Sequence, residues 1–183
     1  MRYVIVSVVK GSAGEFNNNL RKDVFSKFNL KSSKLPAHFT IKAPFEYDKD
    51  IKELEKIIEN VCKNEKAHSF KIDGYNHFDN RVIYMEVKMS KEGKFVHDKL
   101  IDEMDKLSYI NFDKKDGKDK IFHVTIASKK LKPLYNEVWS YVNKFPCKFH
   151  CLFDNISIYK WKENTWKLYK EFRFNECIKG LDK

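Results

Sequence analysis

The period of hydrophobic and polar positions changes repeatedly along this 183-residue chain. Residues 2–9 are a run rich in β-branched side chains and predict a buried strand. Ser12-Ala-Gly-Glu15 has capping-box spacing, in which a hydroxyl and a carboxylate satisfy the first free amides, and predicts a helix over 12–28. Gly11 and Gly14 lack the Lys-Ser/Thr ending of a phosphate loop and read as turn and cap. A strand is expected over 38–43, bounded by Pro36 and ended by Pro44. Ile51, Leu54, Ile57, Ile58 and Val61 recur at helical spacing and predict a helix over 50–62. Strands follow at 69–75 and 81–89 around a turn at 77–80, then an amphipathic helix at 95–107. The polar, glycine-containing stretch 113–120 reads as a mobile loop. A strand at 121–128 and a helix at 133–143, with Pro133 in its first turn, come next. Strands at 148–153, 156–161 and 166–174 complete the pattern, the last two joined by a turn at 162–165. No Ser/Gly-rich linker divides the chain, and the mixture predicts an α+β fold of largely antiparallel sheets with helices on their outer faces.

Composition narrows the function classes. Hydrophobic residues at 42% and aromatics at 15% supply a core, which argues against disorder. A net charge of +10 favours anionic partners such as RNA, nucleotides or acidic membranes. Lys-rich, Asn-rich composition also arises from genomic base bias, so charge alone does not decide for nucleic acid. Cys62, Cys147, Cys151 and Cys177 include no C-x-x-C pair, and no signal peptide opens the chain, so a reducing cytoplasm without a disulfide framework is expected. The segment Cys147-Lys-Phe-His150-Cys151 has possible ligands but no partner cluster, and its alternation suits a strand with Cys147, Phe149 and Cys151 on one face. The apolar run at 3–9 is too short to span a bilayer. No metal, cofactor or membrane partner is expected, and the chain is expected to be a monomer.

The chemistry lies in two repeated tripeptides. The chain has only three threonines, Thr40, Thr125 and Thr165, and two of them follow a histidine by two positions: His38-Phe-Thr40-Ile41 and His123-Val-Thr125-Ile126. On a strand, residues two apart share a face. His38 and Thr40 therefore project together, as do His123 and Thr125, while Phe39, Ile41, Val124 and Ile126 anchor the opposite faces. One isolated His-x-Thr is more often a solvent-facing pair; two with matching apolar flanks point to function. Displacement at phosphorus needs one group to take the nucleophile's proton and another to protonate the leaving oxygen, and histidine suits both because its ordinary pKa is about 6.5. Threonine hydroxyls donate to non-bridging phosphate oxygens. Lys42, read as sharing Thr40's face, is a further candidate phosphate contact. The remaining histidines, His68, His77, His97 and His150, lack a Thr or Ser two residues on and read as surface or core residues. Tyr159, Trp161, Trp166 and Tyr169 alternate at strand spacing and read as sheet core before base-stacking residues. A bell-shaped pH profile with its optimum between roughly pH 6 and 8 is expected for such a pair.

The segments His38-Phe-Thr-Ile-Lys-Ala-Pro-Phe45 and His123-Val-Thr-Ile-Ala127 resemble those of the two-histidine (2H) phosphoesterase superfamily, and the order of elements fits that family from Met1 to Phe174. The resemblance implies one bilobal α+β domain over 1–183, with a pseudo-twofold axis and both motifs lining a central cleft between two mostly antiparallel sheets. It implies catalytic histidines at His38 and His123 and phosphate-binding hydroxyls at Thr40 and Thr125. It further implies RNA or nucleotides with a 2′,3′-cyclic phosphate or a 2′-5′ linkage as substrate. The competing expectation is an RNA- or nucleotide-binding module that keeps the cleft without turnover.

Overall fold

The computed structural model describes residues 1–113 and 115–175; Lys114 and 176–183, Cys177 among them, lie outside the described residues. Strand β1 (Arg2–Val8) leads through Gly11 into α1 (Gly11–Phe28), and β2 (His38–Glu46) returns beside β1. Next come α2 (Lys52–Asn64), the hairpin β3 (His68–Phe78) and β4 (Val82–Met89), α3 (Lys91–Asp105) and β5 (His123–Ala127). A 3₁₀ turn (Lys132–Leu134) containing Pro133 opens α4 (Tyr135–Val142), followed by β6 (Lys148–Phe153), β7 (Asn155–Lys162) and β8 (Thr165–Arg173).

Two four-stranded sheets result, in orders β2-β1-β7-β8 and β5-β4-β3-β6, and every named pairing is antiparallel. The same unit builds one edge of each sheet: β1-α1-β2 in the first and β4-α3-β5 in the second. In each, the strand after the helix pairs antiparallel with the strand before it and becomes the sheet edge. Both His-x-Thr segments lie on these edge strands.

One core lies between the sheets. Its centre is Phe39, fully buried, with edge-on contacts to Phe70 of β3 (5.7 Å), Phe122 ahead of β5 (5.5 Å) and Phe153 of β6 (5.3 Å). Ile41, Val124 and Ile126 join it, as do Leu54, Ile58 and Leu100 from the helices. The apolar partners of the two motifs thus lock both edge strands to a common interior. Removing Phe39's ring would cost about 3–5 kcal/mol, the lost burial of the ring and the cavity left behind together. A smaller cluster of Val4, Val6, Leu35 and Tyr159, with Trp166 packed on it, covers the other face of the first sheet, while Tyr169 stays partly exposed.

Several local expectations are corrected. The capping box does not form: the N-cap of α1 is Lys10, without a side-chain cap bond. Gly11, at φ +62°, turns the chain directly from strand to helix, and Gly14 packs so closely on Val9 that a Cβ there would lie 2.2 Å from the Val9 carbonyl oxygen. Pro44 does not end β2. The strand is an edge and carries a bulge where Tyr3 pairs with Phe45 but Ile5 with Lys42, so a missing N–H costs little there. Helix α3 starts earlier than its apolar spacing suggests, because Ser90 caps it by accepting from the Gly93 amide (3.1 Å). Strand β3 continues past Tyr75 through a bulge at Gly74 (φ +81°), so the hairpin turns at Asp79 and Asn80. The β7–β8 turn falls where expected, on Glu163 and Asn164, both at positive φ, as a tight hairpin requires. The polar stretch 113–120 is a loop but an anchored one, since Asp116 and Lys120 are buried.

Candidate active site

Each motif is held by matching interactions. In β2, His38 lies opposite Val8 and Thr40 opposite Val6; in β5, His123 lies opposite Glu86 and Thr125 opposite Tyr84. Edge strands β2 and β5 come into contact, which brings the two motifs together. His38 Nδ1 donates to the carbonyl of Pro36, two residues back (2.7 Å), and His123 Nδ1 donates to the carbonyl of Ile121, also two residues back (2.8 Å). A carbonyl can only accept, so each neutral imidazole carries its proton on Nδ1 and leaves Nε2 as a free base. The motif backbones are supported from the side as well. Lys120 Nζ donates to the Thr40 carbonyl, and Asn17 Nδ2, buried on α1, donates to the Thr125 carbonyl (3.3 Å).

The electrostatics disfavour charge on both rings. Burial pushes His38 down to about 4; the Pro36 bond opposes this, and the charges of Arg21, His123 and Lys120 add to it. Burial also lowers His123, opposed by the Ile121 bond and reinforced by Lys120. Lys120 itself is pushed down to about 8 by burial, against the pull of Asp116. With Lys42, these groups form a buried polar knot beside β2. Asp116 accepts from Lys42 Nζ (2.5 Å) and from the amides of Ala43 (2.9 Å) and Asp113 (3.0 Å). Burial would raise the Asp116 carboxyl, but these donors hold it below its ordinary range.

Lys42 therefore departs from expectation. The register shift between Val6 and Ile5 sets it opposite Ile5 and off Thr40's face, and its ammonium is spent on Asp116. Sequence reading also missed Asn17, Asp116, Lys120 and two aromatic rings that pack on His123, Phe78 (5.0 Å) and Tyr84 (5.1 Å). The visible signal for Asn17 was a polar residue on the apolar stripe of α1 between Ala13, Leu20 and Val24. His123 opens onto a cavity of about 690 Å³ whose wall includes Phe78, Arg81, Lys115, Asp119 and Ile121. His97 is a core residue against Phe122, and His77 joins the cavity wall. Among the described residues no three His, Cys, Asp or Glu side chains converge as a metal site; Cys62, Cys147 and Cys151 are free thiols; and no helix is long and apolar enough to cross a membrane.

The model of the 2′-5′ RNA ligase superfamily matches residues 15–165, a span that contains both His-x-Thr edges. The chain belongs to that superfamily, the 2H phosphoesterases. Solved structures of similar fold agree. The apo form of E. coli LigT superposes with a TM-score of 0.63 at 11% identity, over 94% of this chain and 96% of that one. E. coli LigT complexed with 3′-AMP gives 0.57 at 11% identity over the same shares. A further crystal structure, of a phosphoesterase, gives 0.57 at 10% identity over 94% and 97%. No curated protein matches at the sequence level. The 2H fold is thus kept in this chain at very low sequence identity.

Proposed function

We propose that the chain is a metal-independent phosphodiesterase acting on 2′,3′-cyclic phosphate ends of RNA or nucleotides, with 2′-5′ ligation occurring when an RNA 5′-hydroxyl replaces water as the nucleophile. One imidazole, neutral and free at Nε2, takes the proton of water as its oxygen attacks phosphorus. The bond from phosphorus to one ribose oxygen breaks, and the other imidazole, protonated at Nε2, gives that oxygen its proton. The Thr40 and Thr125 hydroxyls donate to the non-bridging oxygens, where charge builds. After one turnover the acid and base have exchanged protonation states, and exchange with solvent resets them. In ligation a 5′-hydroxyl takes the place of water and the roles are the same; they exchange when a 2′-5′ linkage is cleaved back to the cyclic phosphate.

The observation that carries this reading is the mirrored carbonyl lock, Pro36 on His38 and Ile121 on His123, which frees both Nε2 atoms. LigT, which shares the fold, has been crystallised with 3′-AMP and with phosphate, consistent with a nucleotide phosphate at such a site. The rival reading, a binding module without turnover, is disfavoured by the same residues. Both histidines are pushed toward the neutral form, whereas a pure anion site gains from permanent charge. Incubation of 2′,3′-cyclic AMP and of a short RNA ending in a 2′,3′-cyclic phosphate, with and without EDTA, tests the proposal: conversion of either to a phosphomonoester in both arms supports it, and no turnover of either refutes it.

A further inference from the structure

A second concavity, about 570 Å³ in volume, lies between α1, the segment that follows it and the residues after β5. Its lining includes Arg21, Lys22 and Phe25 from one face of α1, Lys31 and Lys34 from the segment after it, and Lys129 after β5, with no carboxylate. Elsewhere lysines commonly sit against acids, as in Lys88–Asp73, Lys94–Asp98 and Lys170–Glu55. Among the described residues, none of these five cations is within ion-pair distance of a carboxylate. Such uncompensated charge opposes folding and favours an anion in the groove.

The groove is built and joined to the active site. Arg21 clamps its floor: Nε donates to Ser32 Oγ (2.7 Å), Nη1 to the Leu35 carbonyl (3.0 Å) and Nη2 to the Ser33 carbonyl. That floor runs directly into Pro36, whose carbonyl holds His38, and Arg21's charge is felt at His38. Lys129 follows closely on the end of β5, the strand that carries Thr125. The groove thus adjoins the start of β2, before His38, and the end of β5, after Thr125. Its cations are interleaved with aromatic surface: Phe25 is 46% exposed among them, and Lys34 lies over Trp161 (5.5 Å), which meets Trp166 edge-on (5.2 Å). A lone phosphate has no use for exposed rings, whereas a single strand of nucleic acid uses both features.

Resting on the proposed reaction, we infer that this groove holds the sugar-phosphate backbone of single-stranded RNA whose cyclic end lies between His38 and His123. The preferred substrate is then an oligonucleotide, not a mononucleotide. The test compares 2′,3′-cyclic AMP with an RNA of ~8 nucleotides ending in a 2′,3′-cyclic phosphate, across a salt series, for the wild type and for the triple variant Lys22→Gln/Lys31→Gln/Lys129→Gln. Arg21 is left intact because it holds the segment leading to His38. The wild type should favour the oligonucleotide in kcat/KM by at least about tenfold at low salt, and the triple variant should lose that preference through KM while its rate on the mononucleotide stays within about twofold. The log–log salt slope should flatten by about 0.7 for each phosphate that the variant no longer neutralises. Equal use of both substrates by the wild type, or an equal loss on both by the variant, overturns the inference and leaves the reaction standing. If neither substrate turns over, the proposed reaction fails, and fluorescence anisotropy with the same oligonucleotide judges the groove: weakened binding by the variant supports it, and unchanged binding overturns it. Competition by poly-glutamate as effective as that by RNA would assign the groove to acidic protein and overturn the RNA reading.

Discussion

Burial at the active site should displace the pH profile of kcat/KM to the acid side of an ordinary histidine pair. The displacement is large at His38, which is held at about 4. Relative to an ordinary value of about 6.5, that favours the neutral ring by about 3 kcal/mol. At pH 7 the free protein would then carry a proton on His38 in about one molecule in 10³, against about one in four for an unperturbed ring. His123 is displaced in the same direction. The form with one imidazole charged and one neutral therefore exists in the free protein between about pH 4 and a limit below about 6.5, and kcat/KM should peak inside that window. The two limbs belong to the coupled pair. A bound phosphate anion favours the charged rings, so the kcat optimum should lie at higher pH, toward the range of roughly 6–8 expected from the sequence. The assay is steady-state turnover of 2′,3′-cyclic AMP from pH 4 to 9. Folding is checked by circular dichroism at each point. His38 and His97 are both depressed to about 4, so the unfolded chain binds more protons between that value and about 6.5, and stability falls as pH drops through this window. Lys120→Met removes a buried cation that lowers both active-site rings and should move both limbs toward alkaline pH. A kcat/KM maximum above pH 7 in the folded wild type, or a rate rising steadily to pH 10, would show that burial does not set the titration of the pair.

Three further outcomes are expected. Thr40→Val or Thr125→Val should lower kcat by about 10–100-fold without moving the pH limbs, since threonine does not titrate; a displaced limb in steady-state profiles would show that the hydroxyls act on the histidines instead of the phosphate. Asp116→Ala strands Lys42 as a buried charge and should destabilise the fold by about 3–5 kcal/mol in urea unfolding, much of it recovered by Lys42→Met/Asp116→Leu; a loss under about 1 kcal/mol would mean the pair is solvated. Turnover should survive EDTA, because two imidazoles carry both protons; loss on chelation with recovery on adding a divalent ion would overturn the mechanism.

Strand and helix order was largely legible in the sequence because apolar periodicity reports burial directly. Phe39 and Ile41 against His38 and Thr40, and Val124 and Ile126 against His123 and Thr125, announced their faces by alternation alone. The rest was hidden for identifiable reasons. Lys42 was placed on the wrong face because a bulge adds a residue between it and Thr40, and bulges leave little trace in alternation. The loop at 113–120 looked solvated because its charges are consecutive, yet Asp116 and Lys120 find buried partners on β2 that lie far away in sequence. Asn17 was obscured by the run Asn17-Asn18-Asn19, in which only the first faces the interior. The displaced histidine equilibria arise from burial and from charges on other elements, which no local pattern encodes.

Everything proposed for this site rests on His38 and His123 acting as one proton-transferring unit on a cyclic phosphodiester. Single-turnover hydrolysis of an RNA ending in a 2′,3′-cyclic phosphate isolates that chemical step, compared among the wild type, His38→Ala, His123→Ala and the double variant, each verified as folded. Each single variant should be slower by at least about 10²-fold, and the double variant little slower than the worse single one. Near-wild-type turnover by either single variant, or losses that multiply in the double variant, would mean that the two histidines do not work as a pair.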